Sequence, residues 1–406
     1  MAAARRRSPW PDLQPELLGL VLQRLPSVAD RVRLRAVCRQ WRRNALLEGP
    51  LLPPRLPWLA LLDGTFLGIS DGETHCVPLP DADADGDYFC HGSVGDDWLF
   101  FHNRTSGRRL VINPFSTADM YLPKLVTGWW REQPWSFVFF KMVLLSSSSS
   151  KGLSRNSVSA VLITDCNDDS VISICRPPSA NAFRAPRREY SSIFDIAFHD
   201  GNLYALSRTK LFLLELVDSL GTGKPRVASM EPVIDYIDDD PETALRSFSK
   251  RQYTCAYWSY PVESRGRLLH VRRLVGVSPT TLSGDDHREV MERTRTFAFE
   301  VFEADLARAC WRKVNDLGGG QALFVGPSSR SLPAFECGAR EDCIYFICDY
   351  DRASRHADPF RDSGVFDMRD GTITPLLPPE TAAVVRPTRG VVSKARPAWF
   401  FPAQAL

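Results

Sequence analysis

The stretch Phe194-Asp-Ile-Ala-Phe-His-Asp-Gly-Asn-Leu-Tyr-Ala-Leu206 carries the pattern that decides the fold. An apolar run enters Asp200-Gly201 and a second one leaves it, which predicts two strands and a hairpin. The exit has a recognisable form: a turn residue, one intervening residue, then Leu or Ile, then usually an aromatic. It recurs at Asp97-Trp98-Leu99-Phe100, Gly201-Asn202-Leu203-Tyr204, Gly266-Arg267-Leu268-Leu269 and Asp342-Cys343-Ile344-Tyr345. A further strand usually follows within about ten residues, as at Leu211 to Leu216. Another unit runs from Phe297 to Phe302, then through Asp305 to Trp311 and Val314. The last clear hairpin spans Gly364 to Leu376 and turns at Asp370-Gly371.

Short strands at this spacing from Trp58 to the end fit a β-propeller, whose blades take roughly 40–50 residues each. About six or seven blades are expected on that spacing. A pair of β-sandwiches is the alternative. No Gly-His…Trp-Asp signature occurs, so the propeller is not of the WD type. Loop insertions are expected at Ser146 to Ser150 and near Pro279 to Glu292. An open sheet this long would expose its edges, so the ring must close. The run Arg396-Pro-Ala-Trp-Phe-Phe401 is apolar enough to be the closing strand, with Trp58 to Leu62 as its neighbour.

The first 48 residues have another texture. Leu13, Leu17, Leu20, Val21 and Leu25 recur at spacings of three and four, which predicts a helix with one apolar stripe. Asp12 can cap it and Pro15 suits its first turn. Pro26 ends it. Ser27 and Asp30 start a second segment, whose apolar side is Val28, Val32, Leu34, Val37, Cys38 and Trp41. Two such short helices bury little on their own and need a partner surface. Four prolines between Gly49 and Pro57 read as a stiff linker. The expected organisation is thus a mainly β chain with a small all-α head: residues 8–48 helical, 49–57 linker, 58–406 propeller.

Composition narrows the function. Hydrophobic residues make up 44% of the 406, an ordinary globular share that can fill a core. Fifty basic and 48 acidic residues leave a net charge of +2, so the whole chain offers no electrostatic case for nucleic acid or anionic membrane. The nearest thing to a membrane span, Trp135 to Leu145, is short and interrupted by Lys141. Arg5 to Arg7 are followed by no apolar stretch of signal-peptide type. The ten scattered cysteines then read as reduced thiols of cytoplasm or nucleus.

The head reads Trp10-Pro-Asp-Leu-Gln-Pro-Glu-Leu-Leu18, Arg24-Leu-Pro26, and Asp30-Arg-Val-Arg-Leu-Arg-Ala-Val-Cys-Arg-Gln-Trp-Arg42, and it resembles an F-box. The body resembles the β-propeller of a large plant family of F-box proteins, the KIB-type propellers. The stretches that carry this are PPRLPWLAL (53–61), LVINPFSTADMYLP (110–123), FDIAFHDGNLYAL (194–206), FEVFEADLARACWRKV (299–314), CIYFICDYD (343–351) and GVFDMRDGTITPL (364–376). Two departures stand out. Leu13-Gln14 replaces the family's Leu-Pro, and ISICRPPSANAF (172–183) lacks a following Trp, which suggests an altered blade edge.

The resemblance implies a non-catalytic substrate receptor of a ubiquitin ligase. Its F-box docks on a Skp-type adaptor, and through it a cullin, while the propeller presents a target protein. Helix faces packing into a groove would make the adaptor contact, with Leu13, Pro15, Leu17, Leu18, Val21, Leu25, Pro26, Val37 and Trp41 as candidates. Some of these must also serve the head's own core. A decayed F-box on an interaction propeller is the second reading.

Other chemistries fit less well. Ten Arg against Asp12, Glu16, Asp30 and Glu48 make residues 1–50 net +6, as in a helix-turn-helix. Yet the second helix shows no aligned set of side chains for base edges. Asp81, Asp83, Asp85 and Gly86 open like a calcium loop, but position twelve is Gly92 rather than Glu. His75-Cys76 and Cys90-His91 each offer at most one zinc ligand, because neighbours on a strand point to opposite faces. Cys337, Cys343 and Cys348 lack paired short spacing. Gly221-Thr-Gly-Lys224 lacks the spacing of a phosphate loop. Gly318 to Gly320 reads as a turn, and no nucleophile pairs with Asp195 and His199. No cofactor or metal is therefore expected.

Overall fold

A computed structural model of the chain describes residues 10, 13–25, 28–48, 56–61, 65–69, 72, 74–76, 88–95, 97–103, 108–114, 118–123, 139–145, 157–164, 169–185, 193–207, 210–218, 225–235, 254–277, 293–349, 360–377 and 397–401. The head folds as α1 (Pro15–Arg24), α2 (Val28–Ala36) and α3 (Arg39–Glu48). Pro15 opens α1, where its missing N–H costs nothing. Gln14 stands at the N-cap without a side-chain bond, and Asp12, the expected cap, lies outside the described residues. The sequence pattern predicts one segment through Trp41, but the structure breaks it at Val37-Cys38. There Cys38 Sγ accepts from the Trp41 N–H at 3.4 Å, which satisfies one free donor of the α3 terminus.

From Trp58 onward the described chain is nearly all strand, in six sheets. Blade 1 takes β1 (Trp58–Ala60), β2 (Thr65–Gly68) and β3 (Thr74–Cys76). Blade 2 holds β4 (Tyr88–Ser93), β5 (Leu99–Asn103), β6 (Arg109–Asn113) and β7 (Ala118–Tyr121). Blade 3 holds β8 (Phe139–Leu144), β9 (Ser159–Thr164), β10 (Ser170–Arg176) and β11 (Ser179–Arg184). Blade 4 holds β12 (Asp195–His199), β13 (Asn202–Leu206), β14 (Leu211–Asp218) and β15 (Pro225–Ile234). Blade 5 holds β16 (Thr254–Ser264), β17 (Arg267–Val277), β18 (Arg295–Asp305) and β19 (Cys310–Val314). Six blades settle the expected six or seven at the lower number.

The recurring exit motif has a physical basis. Asp200 and Gly201 have φ of 46° and 77°, and Arg265 and Gly266 have 51° and 74°. Each pair joins strands whose flanking residues face each other, His199 with Asn202 and Ser264 with Arg267. Two left-handed residues give the turn whose twist matches the strands. Asp97 and Asp342 are left-handed too, at 62° and 53°. Asp342, however, does not follow an inner strand. Blade 6 contains β20 (Gln321–Val325), β21 (Arg330–Pro333), helix α4 (Ala334–Cys337), β22 (Cys343–Phe346), β23 (Gly364–Asp367) and β24 (Ile373–Pro375), in the order β21-β20-β22-β23-β24. The chain enters at the second position, turns back to the first, then crosses over through α4 to run parallel to β20.

Blade 3 keeps a regular edge despite the missing Trp: β11 pairs β10 from Val171↔Arg184 to Arg176↔Ser179. Its residues are half-buried or exposed, so that edge has no need of a large aromatic. The middle strands differ. Every residue of β6, β9 and β20 is buried, because neighbouring blades cover both faces.

The ring closes with β25 (Ala398–Phe400), which pairs β1 antiparallel in the register Trp58↔Phe400, Leu59↔Trp399, Ala60↔Ala398. Its side chains alternate between two cores. Trp399 and Phe401 pack with Phe324 and Tyr345 of blade 6, while Ala398 and Phe400 pack with Phe66, Leu99 and Phe101. The Trp399 indole N–H donates to the Val325 carbonyl at 2.9 Å. Phe401 N donates to Ser93 Oγ at 3.1 Å, which ties the clasp to blade 2. Trp399→Ala should therefore destabilise the whole propeller by about 3–5 kcal/mol. Denaturant unfolding followed by tryptophan fluorescence and by circular dichroism should shift together; a change confined to the C-terminus would contradict the closure.

Candidate docking surface

The head has its own core of Leu18, Leu22, Leu34 and Ala45, with Leu13, Leu25 and Trp41 packed against it. Polar contacts fasten the segment before α1 onto α3. Asn44 Nδ2 donates to the Leu13 carbonyl at 3.1 Å, and the Trp41 indole N–H donates to the Trp10 carbonyl at 2.7 Å. The Trp10 and Trp41 rings meet edge-on at 6.5 Å.

With Leu18, Leu22 and Leu25 turned inward, the opposite side of α1 faces solvent, and it is apolar. Leu17, Leu20 and Val21 are 47%, 47% and 38% exposed. At 3.6 residues per turn they share about 100° of the helix circumference. Trp10 and Val37 are exposed at 63% and 62%. The structure thus divides the nine candidate residues. Leu17, Val21 and Val37 are exposed, and Leu13, Pro15, Leu25 and Trp41 are half-buried. Leu18 is wholly interior and offers no surface; it is a packing residue of the head. Pro26 lies outside the described residues. Two surface residues, Trp10 and Leu20, were not among the candidates. Leu20 already stood in the predicted stripe, one turn from Leu17, and only the direction of the core reveals that it points out.

Inside the propeller, several buried polar groups are tied to one another. Lys141 of β8 and Asp195 of β12 form an ion pair at 2.7 Å, both nearly wholly buried. Burial outweighs Lys141 and pushes the Asp195 carboxyl up to about 6, with Asp349 adding to the rise. Arg273 reaches Asp349 at 3.2 Å and Asp362 at 2.8 Å, and Tyr260 donates to Asp349 at 2.9 Å. The first pair thus bridges blades 3 and 4, and the second cluster bridges blades 5 and 6. His199, at the far end of β12, packs against Tyr204. Asp195 and His199 therefore do not act together.

Cys337 and Cys343 sit in the blade 6 core, and burial pushes both thiols up to about 11, which makes them poor nucleophiles. Among the described residues no three His, Cys, Asp or Glu side chains gather as metal ligands. Cys90 is buried, and His91 lies against Phe100 and His102. The side chains of His75 and Cys76, the acidic loop from Asp81 to Gly86, and Gly221 to Lys224 lie outside the described residues. Gly318, Gly319 and Gly320 form a left-handed turn. No described helix is long and apolar enough to cross a membrane.

Head and body together define an F-box protein with a propeller body. A family model for the F-box domain matches residues 10–45, and one described as KIB1-4 beta-propeller matches residues 66–367. The chain belongs to the KIB1-4 β-propeller family. Among solved structures, it is similar to a mutant of AofleA from Arthrobotrys oligospora, at 10% identity over 69% of this chain and 74% of that one, with a TM-score of 0.28. The N-terminal domain of Nup159 matches at 11% identity over 74% of this chain and 67% of that one, with a TM-score of 0.24. No curated protein matches.

Two outcomes follow for the buried polar groups. Lys141→Met should cost about 3–5 kcal/mol, because Asp195 would stay buried without its cation. Lys141→Met with Asp195→Leu should recover most of that loss in urea unfolding; no recovery would mean that Asp195 is held by other partners. His270, wholly buried and bonded through Nε2 to Ser259 Oγ at 3.0 Å, is held down to about 3 by burial and then by Arg272. Its folded value is depressed, so its contribution is complete above the unfolded value of about 6.5 and is lost as pH falls towards about 3. Unfolding should take up one proton in that window, a slope of about 1.4 kcal/mol per pH unit. Calorimetry of His270→Gln against the parent should show that proton missing.

Proposed function

We propose that this protein is the substrate-recognition subunit of a Skp–cullin–F-box ubiquitin ligase. The head docks on the Skp-type adaptor, which joins it to a cullin, and the propeller holds a target protein. The observation that carries this reading is the outward face of α1. A helix that already has a core keeps Leu17, Leu20 and Val21 in solvent on its far side. Apolar helix faces of this kind are made to lie in a groove.

The receptor itself is non-catalytic. Its contribution is proximity: a bound target meets activated ubiquitin at a raised effective concentration. The body suits the role, since a ring of blades is a rigid platform on which loops can vary. Family resemblance supports a plant source. A reducing compartment, cytoplasm or nucleus, suits the chain, because the described cysteines are all free thiols.

The full chain should co-purify with a Skp-type adaptor, and Leu17→Asp with Val21→Asp should abolish that by placing carboxylates in an apolar interface. Leu25 is the wrong position for this test, since it packs on the head's own core. If the double variant melts like the parent and still binds the adaptor, the ligase reading falls.

A further inference from the structure

The outward face of α1 ends on a charge. Arg24 is the last residue of the helix and is exposed. Helical rotation places it between Leu20 and Val21, on the same side as Leu17. Its side chain has no partner among the described residues. Of the head's four acids, Glu16 sits in the first turn of α1, Asp30 is engaged by Arg33 at 2.8 Å, and the side chains of Asp12 and Glu48 lie outside the described residues. The docking face is therefore a trough-filling stripe with an unpaired cation at one end.

We infer that Arg24 is a specificity-determining contact, matched by a carboxylate at the corresponding end of the partner's apolar groove. The inference rests on the docking function proposed above and adds the chemistry of the partner. Leu17, Leu20 and Val21 supply burial, but an apolar stripe reads much the same in either direction along a groove. One charge at one end removes that ambiguity. Bound in reverse, or on a groove lined there by basic groups, the guanidinium is left desolvated or repelled. The simpler role for a cation in the last turn is to offset the helix dipole, and that role acts on head stability without touching affinity.

The test uses the full chain and a purified Skp-type adaptor, with parent, Arg24→Glu, Arg24→Met and Leu17→Asp compared by calorimetric titration at low and high salt. Arg24→Glu should bind about tenfold or more weakly at low salt, and high salt should shrink that deficit severalfold. Arg24→Met should lose less and should also lose the salt dependence of the parent. Thermal melts separate a dipole effect from a contact. If Arg24→Glu binds within about twofold of the parent while Leu17→Asp fails to bind, the charge contact is wrong and the docking surface stands. If Leu17→Asp also binds like the parent, the docking function is wrong and Arg24 falls with it.

Discussion

The antiparallel pairing of β25 with β1 is the contact on which the body rests. A propeller without closure has two open sheet edges and two uncovered apolar faces. Here three residues do the work from both sides. Trp399 enters the core of blade 6 and Phe400 the core that blade 1 shares with blade 2. One strand therefore belongs to two hydrophobic clusters, and the first and last parts of the domain fold as one unit. The bond from Trp399 to Val325 adds direction, because a buried indole N–H without an acceptor is costly.

The polar interior follows from the same geometry. Strands that line the ring are covered on both flanks by other blades, so a charge on them needs a partner within the protein. Lys141 meets Asp195 across blades 3 and 4, and Arg273 of blade 5 meets Asp349 and Asp362 of blade 6. Such pairs add little net stability compared with apolar residues of equal size, but each half is expensive without the other. Each ties a blade to the next one along the chain.

The head is built on the opposite logic. It is too small to bury all its apolar residues, so α1 is divided along its length into an inner and an outer stripe. The inner stripe makes a fold possible, and the outer stripe stays in solvent. The head keeps Leu17, Leu20 and Val21 together on one helix face, whereas in the propeller the described exposed apolar side chains, Tyr121, Leu306, Phe335 and Ile373, are spread over blades 2, 5 and 6.

By itself the sequence determined what depends on neighbours along the chain. Strands, hairpins and the exit motif were legible because left-handed turns at Asp200-Gly201 and Arg265-Gly266 are local conformations with local residue preferences. The clasp at residues 398–401 was legible from its apolar run and from the need to close the ring. Other features lay beyond local pattern. The blade count, the crossed order of blade 6 and the break at Val37-Cys38 depend on how strands and helices pack. So does the separation of Leu18 from Leu17. Both are leucines of one helix, equal in propensity and hydropathy. Only the position of α3, which puts Ala45 and Trp41 on one side of α1, makes the first a core residue and leaves the second in solvent. Periodicity says that a helix has an apolar stripe, whereas burial is a property of what lies opposite it, and that is fixed only in three dimensions.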